Sequence, residues 1–141
     1  FNQILTENNN VDYFAVGIQQ QSNTKELFKI AEEKKVSYVS NFECETFSEA
    51  LKNKLNTFIK KVDYLYITID LDGFSSAYAP GVSAPSPLGF TPHFVYKVLA
   101  FLFESNKVIS CDIAELNPDF DIDEHTASLA AKLIDYMILN V

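Results

Sequence analysis

The stretch DYLYITIDLD, residues 63–72, decides how the chain is read. Its β-branched and aromatic residues run almost unbroken into two acids, which suits a central strand covered on both faces. The residues that follow, Gly73 to Phe90, are rich in Gly, Pro and Ser and read as a loop. A loop of roughly eighteen residues within a compact domain is usually functional or disordered, so it is a site candidate before any motif is considered.

Working outward, strand-like and helix-like segments alternate. Upstream, VDYFAVGIQ (11–19) is a near-continuous apolar run that reads as a strand buried on both faces. SNTKELFKIAEEKK (22–35) follows as a helix capped by Ser22 or Asn23, with Leu27, Phe28, Ile30 and Ala31 on one side. VSYVSNF (36–42) is a short strand, and FSEALKNKLNTFIKK (47–61) is a helix with Leu51, Leu55, Phe58 and Ile59 at helical spacing. Downstream, Thr91 and Pro92 read as the cap and first residue of TPHFVYKVLAFLF (91–103), and KVISCDIAEL (107–116) as another buried strand. After the turn NPDFDIDE, EHTASLAAKLIDYMIL (124–139) is the last helix. Such alternation predicts an α/β fold, a three-layer doubly wound parallel sheet with right-handed crossovers, formed by residues 1–141 as one unit. Sites in such sheets lie at the carboxyl ends of the strands.

Composition narrows the function. The chain has 141 residues, 48 % of them hydrophobic, enough for one core. Nineteen acids against eleven bases give a net charge of −8, and the bases form no run that could follow a phosphate backbone. Nucleic acid and membrane are therefore not expected partners; a small-molecule substrate is, in a cytoplasmic setting. No apolar stretch nears the roughly 20 residues that span a bilayer. Cys44 and Cys111 are too few and too isolated for a disulfide framework or a thiolate metal site, and both read as reduced, packed thiols. No G-x-G-x-x-G or Walker loop supports a nucleotide site.

Two acidic constellations could carry chemistry. Asp70 and Asp72 stand two apart at a strand end, a spacing that puts both on one face of a strand. Two such carboxylates repel unless a proton or cation lies between them, and a hard divalent metal answers that need. The plainer alternative is a solvated strand end whose acids cap the next turn. In DIAE, Glu115 is placed to accept paired N–H bonds from a planar cation such as guanidinium or amidinium. Asp112 sits deeper, where a supporting hydrogen-bonding role is expected; both acids could instead merely cap the following loop.

These residues resemble a known family. TIDLDGFSSAYAPGVSAPSPLG (68–89) is similar to the ureohydrolase signature in which strand-end aspartates precede a loop with a Pro-Gly pair. DIAELNPDFDIDEHTASLAA (112–131) resembles the family's second block, with Glu115, Asn117, Pro118, Asp121, Thr126 and Ala127 in register. Within the family, GVSAPSPLG and VGIQQQSNTKELFKIA resemble formimidoylglutamases more than arginases. The resemblance implies an arginase-like fold, present only as its carboxyl-terminal portion. It also implies hydrolysis of N-formimidoyl-L-glutamate to L-glutamate and formamide, a step of histidine degradation. An agmatinase-like or other guanidino hydrolase, or a noncatalytic module of the same fold, are the alternatives. Homo-oligomers are expected for the complete protein.

The cofactor so implied is a binuclear manganese (Mn2+) centre, which activates a bridging water for attack on the amidine carbon. Asp70 would bridge the ions and Asp72 bind one of them, while Glu115 would hold the cationic formimino group, with Asp112 behind. Two departures matter. Ser75 and Ser76 stand where many relatives have Asp-Pro. The histidine-bearing blocks that supply the remaining ligands in relatives do not occur in this sequence, whose His93 and His125 read as solvent-facing or capping residues. The chain by itself is therefore expected to be inactive, and every basic residue is Lys, so no Arg can clamp a substrate carboxylate.

Overall fold

The computed structural model describes residues 2–8 and 10–140. A short helix α1 (Asn2–Glu7) leads into β1 (Phe14–Ile18), α2 (Lys25–Glu33) and β2 (Ser37–Ser40). Then come α3 (Glu49–Ile59), β3 (Leu65–Asp70), α4 (Pro92–Phe103), β4 (Val108–Ala114) and α5 (His125–Asn140). The helices start where side-chain acceptors meet orphan N–H groups. Ser48 accepts from Leu51 N and Thr91 from Phe94 N, with Pro92 at the first position of α4. For α2 the cap is Thr24, which accepts from Leu27 N, rather than Ser22 or Asn23; the Asn23 amide is turned back to the Gln19 carbonyl.

All strand pairing is parallel, as expected of an α/β fold, but the strands fall into two pairs rather than one continuous sheet. β1 pairs with β2, setting Phe14 against Ser37 and Val16 against Val39. β3 pairs with β4, setting Leu65 against Val108 and Asp70 against Ala114. The inner edges of β1 and β3 are kept apart by a cavity of about 470 Å³ lined by both strands and by the apolar faces of α3 and α4.

The core joins both pairs. Leu71, Phe74 and Leu133 are fully buried, packed with Val39, Leu51, Leu55, Val98, Leu99 and Met137. Helix α5 contributes Thr126, Ala130, Leu133 and Met137, one stripe at helical spacing. Two expectations, for β4 and β1, fail in detail. β4 is not buried on both faces, since Ile109 is 62 % exposed and, among the described residues, β3 is the strand's one ladder partner. β1 alternates buried and half-buried positions instead of being uniformly covered, because one of its edges opens on the cavity. None of the residues of α2 is buried, and Leu27 is half exposed, so that helix covers its sheet only loosely.

Candidate active site

Parallel pairing of β3 with β4 brings the two acidic constellations to one sheet edge. Asp70 is the last residue of β3 and lies opposite Ala114, so Glu115, the next residue, leaves β4 beside it. Asp72 reaches the same place by a route the strand spacing does not describe. β3 ends at Asp70, and Leu71–Gly73 form a 3-10 turn with Leu71 fully buried as its anchor. The two aspartates thus do not share a strand face; the turn folds Asp72 back toward Asp70 while Leu71 is drawn into the core.

The three acids lie within electrostatic reach of one another. Partial burial first, and the Glu115 charge second, lift the Asp70 carboxyl above the usual carboxylate range. Asp72 is raised by burial, then by Asp70 and Glu115, against the opposing pull of the Asp72 and Gly73 backbone N–H groups. Tyr13, just before β1, is raised by burial and then by the Asp70 charge, so β1 also approaches this edge. Neither of the ion pairs found among the described residues, Lys52–Glu49 and Lys54–Glu43, involves the cluster.

Glu115 is held in a conformation that a non-glycine residue seldom adopts, with φ of 69°. The Ser83 hydroxyl lies 3.5 Å from its carboxylate. Asp112 is placed on the ladder opposite Thr68, and its carboxylate accepts from the Thr68 hydroxyl at 2.7 Å and from the Tyr66 hydroxyl. It is thereby tied to β3 two ladder positions below Asp70 and does not join the cluster.

The long loop is neither disordered nor open. Its ends are zipped by Ser75 N donating to Phe90 O and Phe90 N to Gly73 O, both 3.0 Å, and its interior buries Phe74, Ala79 and Val82. The Phe74 and Phe90 rings meet edge to face at 4.8 Å. Ser75 serves the loop itself: its hydroxyl donates to Pro87 O at 3.1 Å and accepts from Ala77 N at 3.4 Å. The serine in place of an aspartate is thus absorbed into loop geometry.

A clamp around Gly81 joins the two sequence blocks, and sequence reading did not single it out. The Gly81 N–H donates to the Thr126 hydroxyl at 2.7 Å, and its carbonyl accepts from Asn117 N at 2.8 Å. A β-carbon at Gly81 would lie 2.6 Å from the Asp121 side chain, so only glycine fits. Asp121 in turn accepts from Thr126 N and Ala127 N at 2.9 Å and caps α5. Slight burial works against ionisation there, but these N–H groups outweigh it and hold the carboxyl below the usual range. The sequence signal was the Pro80-Gly81 pair together with the Asp121-to-Thr126 spacing, which acquires meaning only once the loop and α5 are placed together. A second tie, from the Ser86 hydroxyl to the buried Gln19 side chain at 2.5 Å, links the loop to the end of β1.

Both histidines lie apart from the acids' chemistry: His93 and His125 are exposed in the first turns of α4 and α5. Burial lifts the Cys44 thiol to about 12 and also raises that of Cys111, which fits packed, unreactive side chains. Among the described residues no three His, Cys, Asp or Glu side chains are gathered closely enough to hold a metal ion. The donor chemistry of Asp70 and Asp72 suits a hard divalent cation, but two carboxylates fall short of the six or so oxygens such an ion takes.

Fold and site together define a parallel α/β protein with an acidic cluster at the carboxyl ends of its strands. A family model described as the arginase family matches residues 1–139. Formimidoylglutamase of Staphylococcus aureus is 42 % identical over 139 residues, 98 % of this chain and 45 % of that protein. Arginase from Bacillus caldovelox superposes with a TM-score of 0.76 at 25 % identity, covering 86 % of this chain and 40 % of that one. Formimidoylglutamase from Bacillus subtilis gives 0.79 at 22 % identity, with 86 % and 38 % covered. Agmatine ureohydrolase of Thermoplasma volcanium gives 0.68 at 32 % identity, with 89 % and 41 % covered. The chain belongs to the arginase family. It spans 45 % of the length of the curated relatives it matches. Among the described residues, no helix is long and apolar enough to cross a membrane.

Proposed function

We propose that this chain is the carboxyl-terminal portion of a cytoplasmic, metal-dependent amidine hydrolase that converts N-formimidoyl-L-glutamate to L-glutamate and formamide. The observation that carries the reading is the convergence of Asp70, Asp72 and Glu115 from two parallel strand ends, each aspartate pushed toward protonation. Like charges gathered without a described cationic partner call for a positively charged ligand, either a divalent metal or an amidinium. Asp70 and Asp72 are this chain's donors to a manganese site, and Glu115 receives the formimino N–H groups, held for that task by its left-handed backbone. Asp112 supports the edge through Tyr66 and Thr68. When bound, the metal would supply an activated water. The 42 % identity to formimidoylglutamase supports this substrate over agmatine.

With two donor carboxylates, the chain by itself is inactive. The test is glutamate release from N-formimidoyl-L-glutamate, with and without Mn2+, by this chain, by the full-length reading frame and by its Asp70→Ala variant. Activity in the full-length protein alone, lost with chelator and in Asp70→Ala, is the expected result. Activity on agmatine but not on N-formimidoyl-L-glutamate would overturn the substrate, and none on any amidine would leave the fold a noncatalytic module.

A further inference from the structure

We infer that Gln19 is a specificity-determining residue, whose side-chain amide donates N–H bonds to a carboxylate of the substrate's glutamate part. The inference rests on the amidine-hydrolase reading and adds to it how the anionic end of the substrate is held. Gln19 follows directly on β1, at that strand's carboxyl end, and is 9 % exposed. A turn fixes its backbone, since its carbonyl accepts from Asn23 Nδ2 at 2.8 Å and from Ser22 N at 3.2 Å. The long loop fixes its side chain. The Ser86 hydroxyl accepts from Leu88 N at 3.3 Å and gives its one proton to Gln19 Oε1 at 2.5 Å. That bond settles the sense of the amide, with its oxygen on Ser86 and its nitrogen turned away. Among the described residues nothing accepts from Gln19 Nε2. Buried polar groups are as a rule paired, so a buried amide with its oxygen pinned and its donors unused calls for an acceptor from outside the fold.

That acceptor enters through the cavity. Gln19, Ser22 and Asn23 from the end of β1 line the same cavity as Asp70, Asp72 and Gly73 from the end of β3. The Phe90 ring lies against both Gly17 and Gly73 and so joins the two strand ends. One side of the cavity thus offers neutral donors and the other side acids. Among the described residues no lysine or histidine lines it, and the chain has no Arg. A neutral donor suits this place: a lysine in the same cavity would be drawn to the acids and cancel the charge that attracts the amidinium. An amide recognises a carboxylate by hydrogen bonds alone and leaves those acids charged. It also discriminates. An ammonium tail such as that of agmatine brings only donors, and the one acceptor of the amide, Oε1, is engaged by Ser86.

The test uses the full-length protein with Mn2+ and two substrates, N-formimidoyl-L-glutamate and N-butylformamidine, which carries the same formimino group and no carboxylate. Gln19→Ala should lower the preference for the first over the second, as the ratio of kcat/KM, by at least about tenfold, through KM rather than kcat. Gln19→Glu should lower it further, because a carboxylate then faces a carboxylate. An unchanged preference, or an equal loss on both substrates, overturns the inference and leaves Gln19 a structural residue. A second measurement does not depend on the variants folding. In the unsubstituted full-length protein, the Gln19 side-chain amide signals in a nitrogen–proton correlation spectrum should shift on adding L-glutamate and stay in place on adding N-butylformamidine. Turnover of N-formimidoyl-L-glutamate with no such shift overturns this inference alone. A shift without turnover of either amidine leaves the carboxylate site standing and removes the amidine-hydrolase reading.

Discussion

Replacing Thr126 by Val tests whether the clamp between the long loop and α5 is held by its hydrogen bond or by packing. Thr126 is fully buried, and its hydroxyl accepts the Gly81 N–H at 2.7 Å. Valine keeps the shape and removes the acceptor, leaving a buried amide without a partner, which costs about 1–3 kcal/mol. Thr126→Ser keeps the acceptor and removes one methyl, a loss of about 1 kcal/mol. Urea unfolding of this chain, analysed by linear extrapolation, should therefore rank wild type above Ser and Ser above Val, with unchanged slopes. Because Gly81 also accepts from Asn117 N, the Val variant should also speed amide exchange at Asn117. A Val variant as stable as wild type, or a Ser variant less stable than Val, would refute the argument and assign the clamp to packing.

Two further outcomes follow from the same geometry. At Gly89 an added β-carbon would lie 2.1 Å from the Phe74 backbone, a contact that no side-chain motion relieves, so Gly89→Ala should cost on the order of 3 kcal/mol or leave the chain unfolded by circular dichroism. Asp70 and Asp72 hold their protons more tightly when folded than when unfolded, so the native state binds more protons once pH exceeds the ordinary carboxylate range near 4. Their contribution to stability therefore falls as pH rises through the raised values and stays low above them. Asp70→Asn should raise the melting temperature of this chain at pH 7 and do little at pH 3.5, and a melting temperature equally raised at both would show that charge is not the cause.

Much of this architecture is legible in the sequence because its signals are local. The Thr91-Pro92 start of α4 and the apolar stripe of α5 rest on capping and periodicity, which act within a turn or two. The strand 65–70 announces itself by composition. What was misread depends on distant residues. The same-face argument for Asp70 and Asp72 assumed a continuing strand, whereas burial of Leu71 in the core ends β3 and turns the chain. β4 reads as buried from its apolar run, yet only pairing and packing decide how much of a strand is covered, and Ile109 is left exposed. The clamp at Gly81 involves partners 36 and 45 residues away, Asn117 and Thr126, since 117 − 81 = 36, and no pattern of nearby residues encodes it.

The raised carboxyls of Asp70 and Asp72 also follow from how the local and distant signals meet at this edge. A strand end that served only to cap a turn would point its carboxylates into water, where they would repel weakly. Here Leu71 pulls the turn inward, the Gly81 clamp presses the loop against α5, and β4 delivers Glu115 in a strained backbone to the same edge. The Leu71 turn and the Glu115 backbone set like charges at one edge, and partial burial of the two aspartates works against their charged forms. A fold selected for stability alone would neutralise or separate those carboxylates, as substitution by Asn does in one step. Carboxylates gathered at one strand edge, at a cost that substitution by Asn would relieve, are where the stability argument and the functional one meet.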